Sequence, residues 1–400
     1  MSEMTVPGWP ATHPARAIVD LAAIRHNVRT LGAAAPSSAV MAVVKADAYG
    51  HGLLPVATAA LQAGATWLGV AQVAEALPLR AGLDATGVRP PILAWLFAPG
   101  ADLAPAVAAD IDLSASAPWA IEEIAAAARA TGRTARVHLK VDTGMSRGGA
   151  RPEAFGDLLD AAARARADGT IEVAGIWSHL ACADEPDSPV TAQQVEVFTA
   201  ALDQAGRAGI RPEVRHIAQS AGTLFHPAAH FDLVRPGIAT YGLTPAPAVA
   251  SSADLDLRPA MRVEARLTVV KTAPPGTGIS YGHRARTTAE TTLAVVPLGY
   301  ADGLPRTASD AGPVSIAGRK LHVAGRICMD QMVVDVGPGS GVREGDLAVV
   351  FGAGDDGGPT ADEWAEAAGT ISYEIVSGIG ARVPRVHVDT ARPGREAAEA

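Results

Sequence analysis

Residues 39–71 read AVMAVVKADAYGHGLLPVATAALQAGATWLGVA, and this stretch decides the fold. An unbroken apolar run at 39–44 is followed by a glycine-bearing turn, an Ala/Leu-rich amphipathic stretch and a second apolar run at 67–71. A run that is apolar at every position is a strand covered on both faces, and a helix between two such strands makes them parallel. The same unit recurs along the chain. Further apolar runs lie at 92–97, 111–115, 136–141, 173–178, 214–217 and 233–235, with helical stretches at 120–130, 152–167 and 191–208 among them. Eight runs between residues 39 and 235 predict an α/β fold, a closed (β/α)8 TIM-type barrel. An open doubly wound sheet is the structural alternative.

The flanks differ from this pattern. An amphipathic segment at 20–35 precedes the first barrel strand, with Asp20 placed to cap free backbone amides. Past residue 250 the texture changes: Pro245, Pro247, Ser251 and Ser252 read as a linker. Strand-like runs follow at 263–270, 292–297, 314–316, 332–336 and 347–351, and only 361–368 reads as a helix. The expected organisation is a barrel over residues 1–255 and a mostly β C-terminal domain over 256–400.

Composition narrows the function. The 400 residues carry 33 basic and 42 acidic side chains, a net charge of −9, which argues against a polyphosphate partner such as nucleic acid. Cys182 and Cys328 are too far apart for a Cys-x-x-Cys pair, so a reducing compartment is expected. The N-terminal MSEMTVPGWPATHPAR has no apolar core and does not read as a signal peptide. The longest stretch without Asp, Glu, Lys or Arg, 48–74, is broken by Gly50, His51, Gly52, Pro55, Gln62 and Gly64, which excludes a membrane span there. These features point to a soluble cytoplasmic protein. His179 and Cys182 are two potential ligands, too few for a metal site, so no metal is expected. Only four basic residues are lysines, Lys45, Lys140, Lys271 and Lys320, so each lysine invites a reason.

Barrels of this kind place chemistry at the C-terminal ends of their strands. Lys45 directly follows four apolar residues, a desolvating position that favours the neutral, nucleophilic amine of a Schiff-base lysine. Other strand ends lead to Arg147 in Asp-Thr-Gly-Met-Ser-Arg, to His179, to His216 with Ser220 beyond it, and to Arg235-Pro-Gly237-Ile238. Ser220 offers a hydroxyl, and the amides of Gly237 and Ile238 are placed to face an anion. Each alone has a plain structural reading: a snorkelling lysine, a helix cap, a tight turn, a core histidine. Together they suit a phosphorylated aldehyde held by a lysine, pyridoxal 5'-phosphate.

These residues also carry a resemblance. The segment Ala42-Val-Val-Lys-Ala-Asp-Ala-Tyr-Gly-His-Gly52 is similar to the cofactor-attachment signature of alanine racemases. The resemblance continues through Lys140–Arg147, Ser178–Glu185, Val234–Gly242, Ser280-Tyr281-Gly, Gly299–Gly303, Gly325-Arg-Ile-Cys-Met-Asp-Gln331, Ile371-Ser-Tyr373-Glu and Arg382-Val-Pro-Arg385. It implies a head-to-tail homodimer in which each site lies between one barrel and the other subunit's β domain. By matched position, Lys45 carries pyridoxal phosphate, and Tyr49, Ser220, Gly237, Ile238 and Tyr373 hold its phosphate. His179 lies against the pyridine ring and Arg235 faces the pyridine nitrogen. Arg147 and the Met329 amide hold the substrate carboxylate.

Tyr281 of the other subunit is then the second acid–base group, opposite Lys45. Racemisation removes a proton from one face of the α-carbon and returns it to the other, so two groups on opposite faces are expected. The implied activity is interconversion of L- and D-alanine, supplying D-alanine for peptidoglycan. In some members of the family a lysine matching Lys140 is carbamylated. Gly378–Arg382 lacks the tyrosine that some members carry there, which leaves Tyr300 and Tyr373 to line the entrance. The alternatives are a serine or broad-specificity racemase, a decarboxylase or aldolase on the same barrel, and a non-catalytic pyridoxal-phosphate-binding barrel. The last kind lacks a β domain, so residues 256–400 count against it.

Overall fold

The structure, a computed structural model, describes residues 9–390. After β1 (Ala15–Asp20) come eight strands: β2 (Ala39–Val43), β3 (Trp67–Gln72), β4 (Ile92–Leu96), β5 (Ile111–Ala115), β6 (Ala135–Lys140), β7 (Ile171–Trp177), β8 (Val214–His216) and β9 (Leu233–Val234). They form one parallel sheet in the order β8-β7-β6-β5-β4-β3-β2-β9. Strand order follows chain order all the way round, with no reversal, which rules out the doubly wound alternative. Between β8 and β9 the seam is short: Asp232 N donates to Arg215 O (3.1 Å) and Arg235 N to Ala218 O (2.9 Å). Helices such as Pro118–Thr131, Phe155–Ala167 and Val190–Arg207 cover the outside, burying Ile121, Leu158 and Phe198 against the strands.

The second body contains β10 (Met261–Arg266), β11 (Val269–Ala273), β12 (Gly278–Ile279), β13 (Ala285–Arg286), β14 (Thr291–Val296), β15 (Pro313–Ile316), β16 (Arg319–His322), β17 (Met332–Asp335), β18 (Leu347–Phe351) and β19 (Arg385–Val388). One sheet runs β16-β15-β18-β10-β1-β19 and another β11-β14-β17. Three features depart from the sequence-based expectation. The run 263–270 is two strands in different sheets, because the chain turns at Leu267 and Thr268. A second helix, Ser372–Gly378, follows Ala361–Ala368 and was hidden by its shortness.

The third departure concerns β1, which lies within the residues assigned to the barrel. It is the filling between β10, antiparallel, and β19, parallel. Arg16 and Arg262 bind opposite oxygens of the buried Glu264 carboxylate there (2.8 and 3.0 Å), so the charge is compensated from two strands. The chain enters the barrel through helix Leu21–Ala34, whose first turn is capped by Asp20 accepting from Ala22 N (2.9 Å), as its sequence predicts.

Candidate active site

Lys45 stands where β2 ends, and the chain behind it does something costly. Ala46, Asp47, Ala48 and Tyr49 all have φ near +52°, a full turn of left-handed backbone. For residues with a Cβ this costs about 1–2 kcal/mol each, so neighbours must impose it. They do so from three sides. Glu75, at the start of helix Val73–Asp84, accepts from Ala46 N (2.5 Å) while its other oxygen caps Ala71 and Gln72. Asp47 accepts from Leu53 N (2.8 Å).

The buried His51 ring meets the carbonyls of Ala48 and Tyr49 through Nδ1 (3.1 and 2.9 Å), so Nδ1 carries the proton. From the second body, Arg385 Nε donates to Gly50 O (2.7 Å) and His387 Nε2 to His51 O (2.8 Å). The same guanidinium binds the carbonyls of Ile379, Gly380 and Val383, just past helix Ser372–Gly378. Gly50 and Gly52 have φ of +78° and +99°. A Cβ would come within 2.5 Å of Val376 O at the first and 2.7 Å of the His387 ring at the second. The two motif glycines are where the barrel loop is pressed onto the second body.

The Lys45 amine, 5.9 Å from the ring centroids of both Tyr49 and Trp95, has its pKa lowered by burial and then by Arg147, against an opposing pull from Glu75. It is therefore easier to deprotonate than a free lysine.

Opposite it lies a group of hydroxyls. Ser220 Oγ accepts from Gly237 N (2.9 Å) and Ala239 N (3.2 Å), which leaves its O–H to donate outward. The ring centroids of Tyr49 and Tyr373 lie 6.3 Å apart, and a Cβ on Gly237 would overlap the Tyr49 hydroxyl. The Gly237 amide, expected to face an anion, is instead engaged by Ser220; Ile238 N makes no backbone or side-chain hydrogen bond among the described residues. Burial raises the pKa of both phenols, so both remain donors.

Arg235 is buried at the base of the rim, 3% exposed. Its Nη2 donates to Ser178 O (2.8 Å) and Ile217 O (3.1 Å) and lies 3.3 Å from His179 Nδ1, while Nη1 meets His216 Nδ1 at 3.0 Å. No carboxylate among the described residues touches it, and burial lowers its pKa to about 9. Nε makes no hydrogen bond to the described residues, so a donor is left for something in the pocket. His179 stays neutral, its pKa pushed well below the ordinary value by burial and then by Arg235. Gln194, buried on helix Val190–Arg207, fixes the loop behind it by donating to His179 O (3.0 Å) and accepting from Ala181 N (2.8 Å).

The fourth and fifth barrel strands, β5 and β6, hold residues that sequence reasoning missed as a group. Along β6, Arg136, His138 and Lys140 alternate with apolar residues, the pattern of one strand face. His138 Nε2 lies 3.1 Å from Asp112 of β5 and its Nδ1 lies 2.8 Å from His216 Nε2. The period-2 spacing of polar residues in an otherwise apolar strand was the available signal. Lys140 lies 4.3 Å over the Trp177 ring; burial, then Arg235 and Arg147, lower its pKa to about 8. Arg147 rides an exposed loop pinned by Asp142, which accepts from Gly144 N and Ser146 N.

Tyr281 and Met329 lie elsewhere, on the second body, 68% and 52% exposed. Ser280 draws their segments together by donating to Arg326 O (2.6 Å) beside Cys328, and Tyr300 N donates to Cys328 O (3.0 Å). Neither Tyr281 nor the Met329 side chain makes a hydrogen bond or ring contact with Lys45 among the described residues.

An α/β barrel joined to a β body, with an amine, a guanidinium and a ring of hydroxyls at one rim, is the class this geometry defines. Comparison with known proteins gives it a family. The alanine racemase N-terminal domain matches residues 19–245 and the alanine racemase C-terminal domain residues 260–387. An alanine racemase of Beutenbergia cavernae is 60% identical over 378 residues, covering 94% of this chain and 98% of that protein. The crystal structure of alanine racemase from D-cycloserine-producing Streptomyces lavendulae is 52% identical, with a TM-score of 0.92 over 95% of this chain and 98% of that one. The alanine racemase of Streptomyces coelicolor A3(2) superposes with the same TM-score, 0.92, at 55% identity, covering 94% of this chain and 98% of that one. The chain belongs to the alanine racemase family.

Proposed function

We infer that this chain interconverts L- and D-alanine with pyridoxal phosphate, as a homodimer in which each site draws on both subunits. The observation that carries the reading is one rim holding a partly desolvated amine, Lys45, and a carboxylate-free buried guanidinium, Arg235, with a donor to spare. The hydroxyls of Ser220, Tyr49 and Tyr373, with the Ile238 amide, match a phosphate in donor type and number. Pyridoxal phosphate, when bound, supplies a carbonyl for an amine and a ring that delocalises the electrons left by a departing α-proton.

The chain's own residues do the rest. Arg235 would hold the pyridine nitrogen as a donor that gives up its proton reluctantly, which would leave the ring short of a full cation and hold down side reactions. His179, neutral, would pack against the ring. Arg147 and the Met329 amide hold the substrate carboxylate. Lys45 Nζ takes or returns a proton on one face of the α-carbon, and the Tyr281 hydroxyl of a second copy serves the other. The exposure of Tyr281, Met329 and Tyr300 on one body, away from Lys45, supports their use by a neighbour.

The division of labour assigns residues 1–255 chiefly to the barrel and 256–400 to the body that completes the neighbour's site. Lys140, between Arg147 and Arg235 with a lowered pKa, suits carbamylation, which would turn a cation into an anion able to hold Arg147; a native mass lacking the CO2 increment would remove that assignment. The setting is the cytoplasm, with D-alanine destined for peptidoglycan; no described helix is long and apolar enough to cross a membrane.

The test is racemisation across a panel of L-amino acids with added pyridoxal phosphate. Alanine is expected to dominate, and a rate for serine equal to that for alanine would replace the assignment. Lys45→Ala should remove the bound-cofactor absorbance. Mixing inactive Lys45→Ala and Tyr281→Ala chains should restore part of the activity; no recovery after demonstrated subunit exchange would exclude a shared site.

A further inference from the structure

Below Arg235 the barrel core is polar, which is unusual for a packed interior filled mainly by branched apolar side chains. Arg235 Nη1, His216, His138 and Asp112 form an unbroken line, with contacts of 3.0, 2.8 and 3.1 Å. All four are at most 3% exposed. The fold makes room for it: a Cβ on Gly175 of β7, the register partner of His138, would overlap the His138 ring. Trp177 stacks on His216 at 13° and donates to Ser114 Oγ (2.9 Å). Beyond Asp112 the line reaches Arg136 (3.0 Å), which continues to Glu213 at the opposite end of the barrel (2.9 Å).

The line has one possible direction. A guanidinium has no acceptor, so His216 Nδ1 must present a lone pair to Arg235. Its Nε2 therefore carries the proton and donates to His138 Nδ1. His138 in turn donates from Nε2 to Asp112, a carboxylate that only accepts. Protonating either imidazole would set two donors face to face, so both are neutral.

We propose that Asp112, His138 and His216 are positioning residues for Arg235: a one-way hydrogen-bond chain that fixes the plane of its guanidinium and keeps the free donor aimed at the pyridine nitrogen. The proposal rests on the cofactor reading above. It also gives the buried arginine a distant counter-charge in Asp112, two imidazoles away, where direct contact would occupy the fork.

Asp112→Asn tests it. The amide is expected to donate to His138, reverse both imidazoles and set His216 N–H against Arg235, as a wrong tautomer does in a hydrolase triad. In the holoenzyme, kcat should fall by roughly 10²-fold or more, with KM for alanine changed less than about threefold since Arg147 is untouched. A second pair guards against misfolding. His216→Gln can still accept from Arg235 and donate to His138, whereas His216→Leu keeps volume alone. The first should retain cofactor affinity and absorbance within about threefold, and the second should lose about tenfold in affinity, one hydrogen bond to a charged group.

Imidazole 15N spectra of the wild-type holoenzyme read the chain directly, with His216 and His138 expected neutral and protonated on Nε2. Wild-type rates in Asp112→Asn, equal behaviour of His216→Gln and His216→Leu, or Nδ1-protonated His216 would each overturn the chain. Absence of cofactor absorbance in the wild type would instead bring down the reading beneath it, and the inference with it.

Discussion

The two sides of the rim are held in opposite ways. On the lysine side, a strained left-handed turn is clamped from outside the barrel, by Arg385 and His387 of β19, and from the flank by Glu75. On the arginine side, a residue outside the left-handed region is held from within, by backbone carbonyls and a line of buried imidazoles. Strain can be imposed only by contacts that outlast it, so the lysine side depends on the docking of two bodies. A buried charge needs satisfied donors more than it needs rigidity of the chain, and the barrel interior supplies acceptors to both Nη groups, leaving Nε for the pocket.

Gly50→Ala attacks the lysine side where it is tightest and has the largest expected effect. A Cβ at φ +78° and 2.5 Å from Val376 O should cost roughly 3 kcal/mol or more of stability, read by denaturant unfolding, together with loss of retained cofactor. An unfolding midpoint equal to wild type would mean that the turn relaxes freely and the contrast is empty.

Acid should act next. Burial lowers the His51 pKa from 6.5 to about 4, so His51 is neutral in the folded protein while the unfolded chain already takes up a proton. Its contribution is complete above pH 6.5 and is lost as pH falls towards 4, amounting to up to about 3 kcal/mol. His216, also lowered by burial, acts in the same sense on the other side. Unfolding of His51→Asn, whose amide can still donate to the turn, should show a shallower pH dependence than wild type between pH 7 and 4.5. An identical slope would assign the acid sensitivity elsewhere.

Arg385→Lys keeps the charge and loses the fork that reaches four carbonyls. A loss of about 2 kcal/mol and roughly tenfold weaker cofactor retention are expected, measured by unfolding and by equilibrium dialysis. The smallest effect belongs to Lys320→Ala, which removes a surface pair with Glu363 at 2.7 Å and should stay within about 1 kcal/mol. If Arg385→Lys weakens cofactor retention no more than Lys320→Ala does, the lysine side is not held from the second body.

The barrel was legible because its strands are apolar at every position and its helices recur between them. The fates of the lysines were not. Lys45 and Lys140 stand at strand ends on the rim, Lys320 pairs with Glu363, and Lys271 faces solvent on β11, yet nothing in their shared scarcity separates them. β1 went unseen because six residues with mixed polarity have no periodicity of their own; their identity as strand comes from β10 and β19, far along the chain. The same holds for the left-handed turn. Alanine and aspartate do not favour φ > 0, and only tertiary contacts put them there. The Asp112–His138–His216 line joins β5, β6 and β8 across Gly175 of the intervening β7, a fact of topology rather than of any local motif.

The pairing of β1 with β19 has a consequence in time. A ribosome delivers the barrel strands early and Arg385 and His387 some 330 residues after the lysine turn they hold. Until then β1 has no parallel neighbour, and the turn that bears Lys45 lacks two of its clamps. The growing chain therefore completes its scaffold well before its reactive amine is set in place. A chain cut short of β19 would carry the whole barrel and still hold its lysine loosely, so that competence arrives with the final strand.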